Sequence, residues 1–155
     1  MSRFKHLKIR QVDSALAPFH EIPQVGRPGT GWIRAIREAL GMSIRQLAER
    51  MGVSKTTAAT LERNEAAETI KLRSLRAVGA ALDCDLVYAL VPRTSLEESV
   101  RRRARLVAER VVGRVSESMD LEDQAIPVAE RERQVSDLAE RLWQEMPKEL
   151  WDDPL

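Results

Sequence analysis

The stretch SIRQLAERMGVSKTTAATLER, residues 43–63, constrains this chain more than any other part of it. Ile44, Leu47, Ala48 and Met51 recur at i, i+3, i+4 and i+7, which is one buried helical face. Ser43 is placed to cap that helix, and Gln46 three residues on completes a capping box. Gly52 ends it, because glycine takes the left-handed conformation at little cost. Ser54 then caps a second helix. On that helix Ala58 and Leu61 point inward, whereas Thr56, Ala59, Thr60 and Arg63 share the opposite side and Lys55 stands at the start. An outward face of small, hydrogen-bonding and basic side chains suits a helix that enters a major groove. Bulky groups would hold it away from the base edges, and acids would repel phosphate.

The rest of the chain is read around this motif. Its 155 residues have room for one full domain and further helices, and 43% hydrophobic content supplies a core. The single cysteine, Cys84, excludes an internal disulfide and a cysteine-based zinc site, which fits the cytoplasm. No apolar run is long enough to cross a bilayer, and the basic N-terminus lacks the apolar segment of a signal peptide. Net charge is +1 overall but divided unevenly. Residues 1–93 hold 15 Lys and Arg against 9 Asp and Glu, a net +6; residues 94–155 hold 10 against 15, a net −5. A basic front fits phosphate, and the acidic back calls for another role.

In order, residues 1–30 read as a basic N-terminal helix (3–17) followed by a Pro- and Gly-rich connector (18–31) that forbids regular structure. Arg3, Lys5, Lys8 and Arg10 are either a phosphate-contacting arm or a solvated terminus. Residues 31–83 form the helix-turn-helix domain, with Trp32, Ile33, Ile36, Ala39 and Leu40 facing its core and residues 64–71 as a loop. Residues 84–93 carry the β-branched and aromatic run Asp85–Val91, which predicts a strand. A lone strand needs a partner, supplied by a second copy across a two-fold axis or by the N-terminal segment. Residues 94–155 form an acidic helical region for dimer or partner contacts. Ser95 caps its first helix, with an apolar stripe at Leu96, Val100, Ala104, Val107, Val111 and Val115. Residues 118–126 interrupt it. A last helix beginning near Pro127 carries Val128, Val135, Leu138, Leu142 and Met146. Trp151 in the acidic tail either packs back on the core or anchors a partner, with packing favoured.

LAERMGVSKTTAATLE resembles the helix-turn-helix of the Cro/xenobiotic-response-element (XRE) repressor class, which implies a mainly α, lambda-repressor-like bundle. GWIRAIREALGMSIRQLAERMGVS together with IKLRSLRAVGAALDCDLVYALVPRTSLEE is similar to the mobile mystery protein A family. That likeness implies a bacterial regulator encoded beside a Fic-domain protein, in an arrangement like a toxin–antitoxin pair. The expected fold is therefore this bundle, one short β-strand and two C-terminal helices. Matched to the class, Lys55, Thr56 and Thr60 face bases, and Arg45, Gln46, Thr57, Arg63 and Asn64 hold phosphates. Where the class often opens its first motif helix with glutamine, this chain has Ile44, which moves anchoring to Arg45 and Gln46. The Ser/Thr-x3-Glu-Gly/Asn motif of direct Fic inhibitors is not matched, since Ser99 follows Thr94 and Glu98.

Two roles follow: a homodimeric repressor of an inverted-repeat operator in double-stranded DNA, or an antitoxin that sequesters the Fic-domain partner through its acidic helices. An enzyme is the weakest reading. His6 and His20 are not spaced with other ligands, and no Ser/His/Asp set or Gly-rich phosphate loop is present, so no catalytic residue, metal or cofactor is expected.

Overall fold

The computed structural model describes residues 2–22, 26–120 and 127–152. Part of the connector (23–25), most of the expected interruption (121–126) and the last three residues of the tail lie outside them. The described residues form seven α-helices and one short 3₁₀ turn. They divide into two compact units, one of residues 23–89 and one combining residues 1–22 with 90–155.

The first unit contains α2 (Trp32–Ala39), α3 (Ile44–Met51), α4 (Lys55–Ala66) and α5 (Leu72–Ala81). Its core is Ile33, Leu47, Val78 and Leu82, flanked by Ile36, Ile44, Met51, Leu61 and Leu75. Burying such aliphatic side chains stabilises the fold by about 1.5–3 kcal/mol each. Trp32, Ala39 and Leu40, expected in the core, are exposed. Trp32 and Ala39 flank the Ile33–Ile36 stripe of a two-turn helix, and Leu40 lies past its end, where Gly41 turns the chain at φ +64°. The loop expected at 64–71 begins later, because α4 continues through Asn64, Glu65 and Ala66. Thr69 and Ile70 then close it by donating to the Asn64 carbonyl.

The β-strand expected at Asp85–Val91 is absent: residues 84–92 have no regular secondary structure. β-Branched and aromatic residues favour a strand only where a second strand supplies backbone partners, and no strand occurs among the described residues. The run instead leaves Val87, Tyr88 and Leu90 exposed to 70%, 62% and 89%.

The second unit contains α1 (Ser2–His20), α6 (Leu96–Asp120), α7 (Val128–Glu145) and the 3₁₀ turn Lys148–Trp151. α1 runs beyond the expected residue 17, taking Pro18 into its last turn, where the missing N–H costs a single ladder bond. α6 and α7 pack antiparallel, since Arg101 meets Glu140 at 3.4 Å and Arg105 meets Glu132 at 2.5 Å. The buried stripe of α6 is Val100, Ala104, Ala108 and Val112, in steps of four. The expected step to Val111 and Val115 fails because the small Ala108, wholly buried, carries the seam, and those two valines face out. On α7, Val135 and Trp143 are buried, whereas Val128 is exposed. Leu150 of the 3₁₀ turn is buried and Trp151 is 58% exposed, so the packing reading of Trp151 does not hold. The turn is fixed by Arg103, which donates to the carbonyls of Leu150 and Asp152 at 2.7 Å.

Polar contacts at two places hold α1 within this unit. Asp13 accepts from the N–H groups of Leu96 (2.8 Å) and Glu97 (3.3 Å), capping α6 alongside Ser95, whose Oγ accepts from Glu98 N–H at 3.0 Å. At the other end, Lys5 Nζ donates to the Met146 carbonyl, and the His6 ring lies 4.3 Å from that of Trp143. A cation at the carbonyl end of α7 is favoured by the helix dipole. Lys5 therefore closes a helix, while Arg3, Lys8 and Arg10 stay exposed. Asp13→Ala is expected to lower stability by about 1–2 kcal/mol. Urea titration of α6 and α7 helicity, with Asp13→Asn retaining most of the stability, checks this assignment.

Candidate nucleic-acid interface

The candidate interface comprises α3, the turn after it and α4. At the start of α3, Ser43 Oγ accepts from Gln46 N–H at 3.3 Å, and Gln46 Oε1 accepts from Ser43 N–H at 2.8 Å. The capping box read from the sequence is thus present. Gly52 takes the left-handed conformation at φ +67° and ψ 30°, and Val53 N–H returns to the Ala48 carbonyl at 3.0 Å. Two residues later Ser54 opens α4, its Oγ accepting from Thr57 N–H at 3.0 Å. Turn and second helix are locked by local hydrogen bonds, so α4 leaves the turn in one direction.

Lys55, Thr56 and Thr57 are exposed on the first turn of α4, which contains no acid. Positive dipole potential and unopposed lysine charge coincide there, an arrangement that favours phosphate and base-edge acceptors. One turn on, half-buried Thr60 accepts from Arg63 Nη2 at 3.0 Å. Asn64 is half-buried, with its carbonyl committed to closing α4. Arg45 is exposed and donates to Glu49 at 2.7 Å, and the Gln46 oxygen is engaged in the capping box. Six of the eight sequence-derived residues therefore lie on α4, and Arg45 and Gln46 lie on the first turn of α3. Arg45 must leave an exposed ion pair to reach a phosphate, which costs little because such pairs contribute about 0–1 kcal/mol.

The residues that hold α4 were not singled out by the motif. Glu65, on its last turn and only 4% exposed, accepts from Trp32 N–H at 2.8 Å and Ile33 N–H at 2.9 Å. α2 has no side-chain cap of its own, so a residue of α4 serves as its cap. Gly31 sits at φ +82°, and a Cβ there would run into Glu65 Oε2. Arg27 closes the other side of the joint, donating to the carbonyls of Glu65 (2.5 Å) and Ala66 (3.0 Å). Arg37 of α2 meets Glu62 of α4 at 2.5 Å and also donates to the Met42 carbonyl at 2.8 Å. Nearby, a hydrogen bond from Arg34 holds the exposed Glu38 carboxyl below the usual carboxylate range. A glycine at the cap position, which brings no side-chain acceptor to the first turn, was the available signal for a remote cap.

Residues 33–88 match the family model for the helix-turn-helix. This segment is a helix-turn-helix domain of the Cro/C1, XRE type. Within the helix-turn-helix domain α3 and α4 are the two motif helices, and α1, α6 and α7 lie outside the match. Such a domain belongs to DNA-binding transcription regulators and is not a catalytic one. No curated protein and no solved structure matches the chain. Among the described residues, no helix is long and apolar enough to cross a membrane.

Proposed function

We propose that the chain is a sequence-specific repressor that binds an inverted-repeat operator as a homodimer. The observation that carries this reading is the recognition helix, locked by Gly52 and Ser54, with an exposed and acid-free first turn. In a two-fold dimer two such helices enter successive major grooves about 34 Å apart. Lys55, Thr56 and Thr60 read base edges: a lysine donates to guanine O6 and N7, and a threonine methyl meets the thymine methyl. Arg45, Gln46, Thr57, Arg63 and Asn64 hold phosphates. The exposed Tyr88 and Leu90 support self-association through side-chain burial rather than strand pairing. The resemblance to mobile mystery protein A supports autoregulation of an operon shared with a Fic-domain protein, a role that would be exercised in the cytoplasm.

The test is an operator titration. Lys55→Ala and Thr60→Ala should each weaken specific binding by about 1–3 kcal/mol while leaving nonspecific binding nearly intact. Arg63→Ala should instead lower the salt slope by about one unit per site across all sequences. Unchanged operator affinity in the first two variants would sink the assignment.

The acidic back supports a second role, docking of the Fic-domain partner. Asp137 and Glu145 are exposed on α7. If the partner copurifies equally well with Asp137→Lys and Glu145→Lys, α7 is not the dock.

A further inference from the structure

The helix-turn-helix unit contains an open cavity of about 310 Å³ beside the recognition helix rather than on its groove-facing side. Ile36, Leu75, Leu82 and Leu86 form apolar walls, with the half-exposed indole of Trp32 at the edge. That volume lies at the lower end of the range of small-molecule sites, which are concave, mostly apolar and furnished with a few placed polar groups. Here the charged groups in the lining are both carboxylates. Glu65 is engaged with the start of α2, and Asp85 is exposed and makes no ion pair among the described residues. No lysine, arginine or histidine lines the cavity.

We infer that this cavity is a regulatory site for a small organic cation with an apolar or aromatic body. Apolar walls take the body, the Trp32 face attracts the cationic head, and Asp85 supplies the countercharge. A neutral ligand gains no attraction from Asp85, and an anion is repelled. Regulation follows from Glu65, which belongs at once to the cavity wall and to the recognition helix. A cation seated against that carboxylate competes with the N–H groups of Trp32 and Ile33, loosening the joint that fixes α4. This regulatory step rests on the operator-binding reading above, whereas ligand binding itself does not.

Benzyltrimethylammonium and its neutral carbon isostere, neopentylbenzene, are suitable probes for the full-length protein without DNA. Saturation-transfer NMR should show saturable binding of the cation, with the isostere about tenfold weaker. Asp85→Asn and Trp32→Leu should each weaken cation binding about tenfold. Asp83→Asn, an exposed acid outside the lining, should leave it unchanged. Equal binding of cation and isostere overturns the proposal, as does equal binding by the Asp85→Asn protein. Cation affinity that falls as protein concentration rises also overturns it, since a second copy then covers the cavity. With operator present, the cation should weaken DNA binding several-fold, and operator should weaken cation binding by the same factor, as linkage requires. Cation binding that leaves operator affinity unchanged overturns the regulatory role. Absence of any operator binding in the free protein counts against the repressor reading instead.

Discussion

Glu65→Ala is expected to destabilise the helix-turn-helix unit by about 3 kcal/mol. The substitution strands two N–H groups at the start of α2, that of Ile33 buried and that of Trp32 part-buried. An orphaned buried donor costs about 1–3 kcal/mol, and bonds to a charged acceptor lie toward the upper end. Glu65→Gln should fall between, because an amide offers one acceptor oxygen where the carboxylate offers two. Gly31→Ala is expected to cost at least as much, for two reasons. Its backbone, at φ +82° and ψ 160°, lies in a region essentially restricted to glycine, with a penalty of about 1–3 kcal/mol. The added Cβ would also displace the Glu65 carboxylate and break the same two bonds. The costs should therefore be clearly less than additive, as for residues in one network. In the Glu65→Ala background, Gly31→Ala should retain only its backbone strain. Hydrogen exchange at the amides of Trp32 and Ile33, with exchange across α3 and α4, reads the effect in this unit alone. Additive losses would show that Gly31 and Glu65 act independently.

The motif was legible because its determinants are local. Ser43 with Gln46, Gly52 and Ser54 each act within a few residues, so spacing alone reveals the capping box, the left-handed stop and the second cap. The determinants that were missed act across the chain. Glu65 lies 32 residues from the N–H of Ile33, and Arg37 lies 25 residues from Glu62. Nothing in a 3.6-residue period reports such a pairing, and Glu65 falls within the stretch 64–71 that reads as a loop. The strand reading failed for the opposite reason. The composition of Asp85–Val91 is that of a strand, but a ladder needs a second row of backbone groups, which the described residues do not supply. In α6 the pattern was ambiguous, because valines at 107, 111 and 115 compete with the 104, 108 and 112 line. Close helix packing selects the line with the smaller residues, which hydrophobicity alone does not rank.

Arg37→Ala is expected to cost about 3 kcal/mol, well above Glu62→Ala, although the two form one ion pair. Both side chains are 12% exposed, so their interaction is only weakly screened. Removing Arg37 leaves the Glu62 carboxylate desolvated without its partner, the costly way to break such a pair. It also frees the Met42 carbonyl, which Arg37 holds at 2.8 Å just before the α3 cap. Removing Glu62 leaves Arg37 with that carbonyl and with Glu38 at 3.6 Å, so its charge keeps two acceptors. A loss of about 1–2 kcal/mol is expected there. Arg37→Lys should not rescue, because one ammonium cannot reproduce a fork that bridges Glu62 and Met42. Replacing both residues by apolar ones, Arg37→Met with Glu62→Leu, should recover most of the lost stability, since buried pairs often contribute little beyond a hydrophobic replacement. Salt separates this pair from the surface ones: added salt should leave the Arg37 contribution nearly intact while erasing that of Arg45 and Glu49, which are 70% and 60% exposed. Stability recovered without operator affinity in the double apolar variant would identify the pair as the device that sets the angle of α4. Recovery of both would reduce it to a stabilising contact.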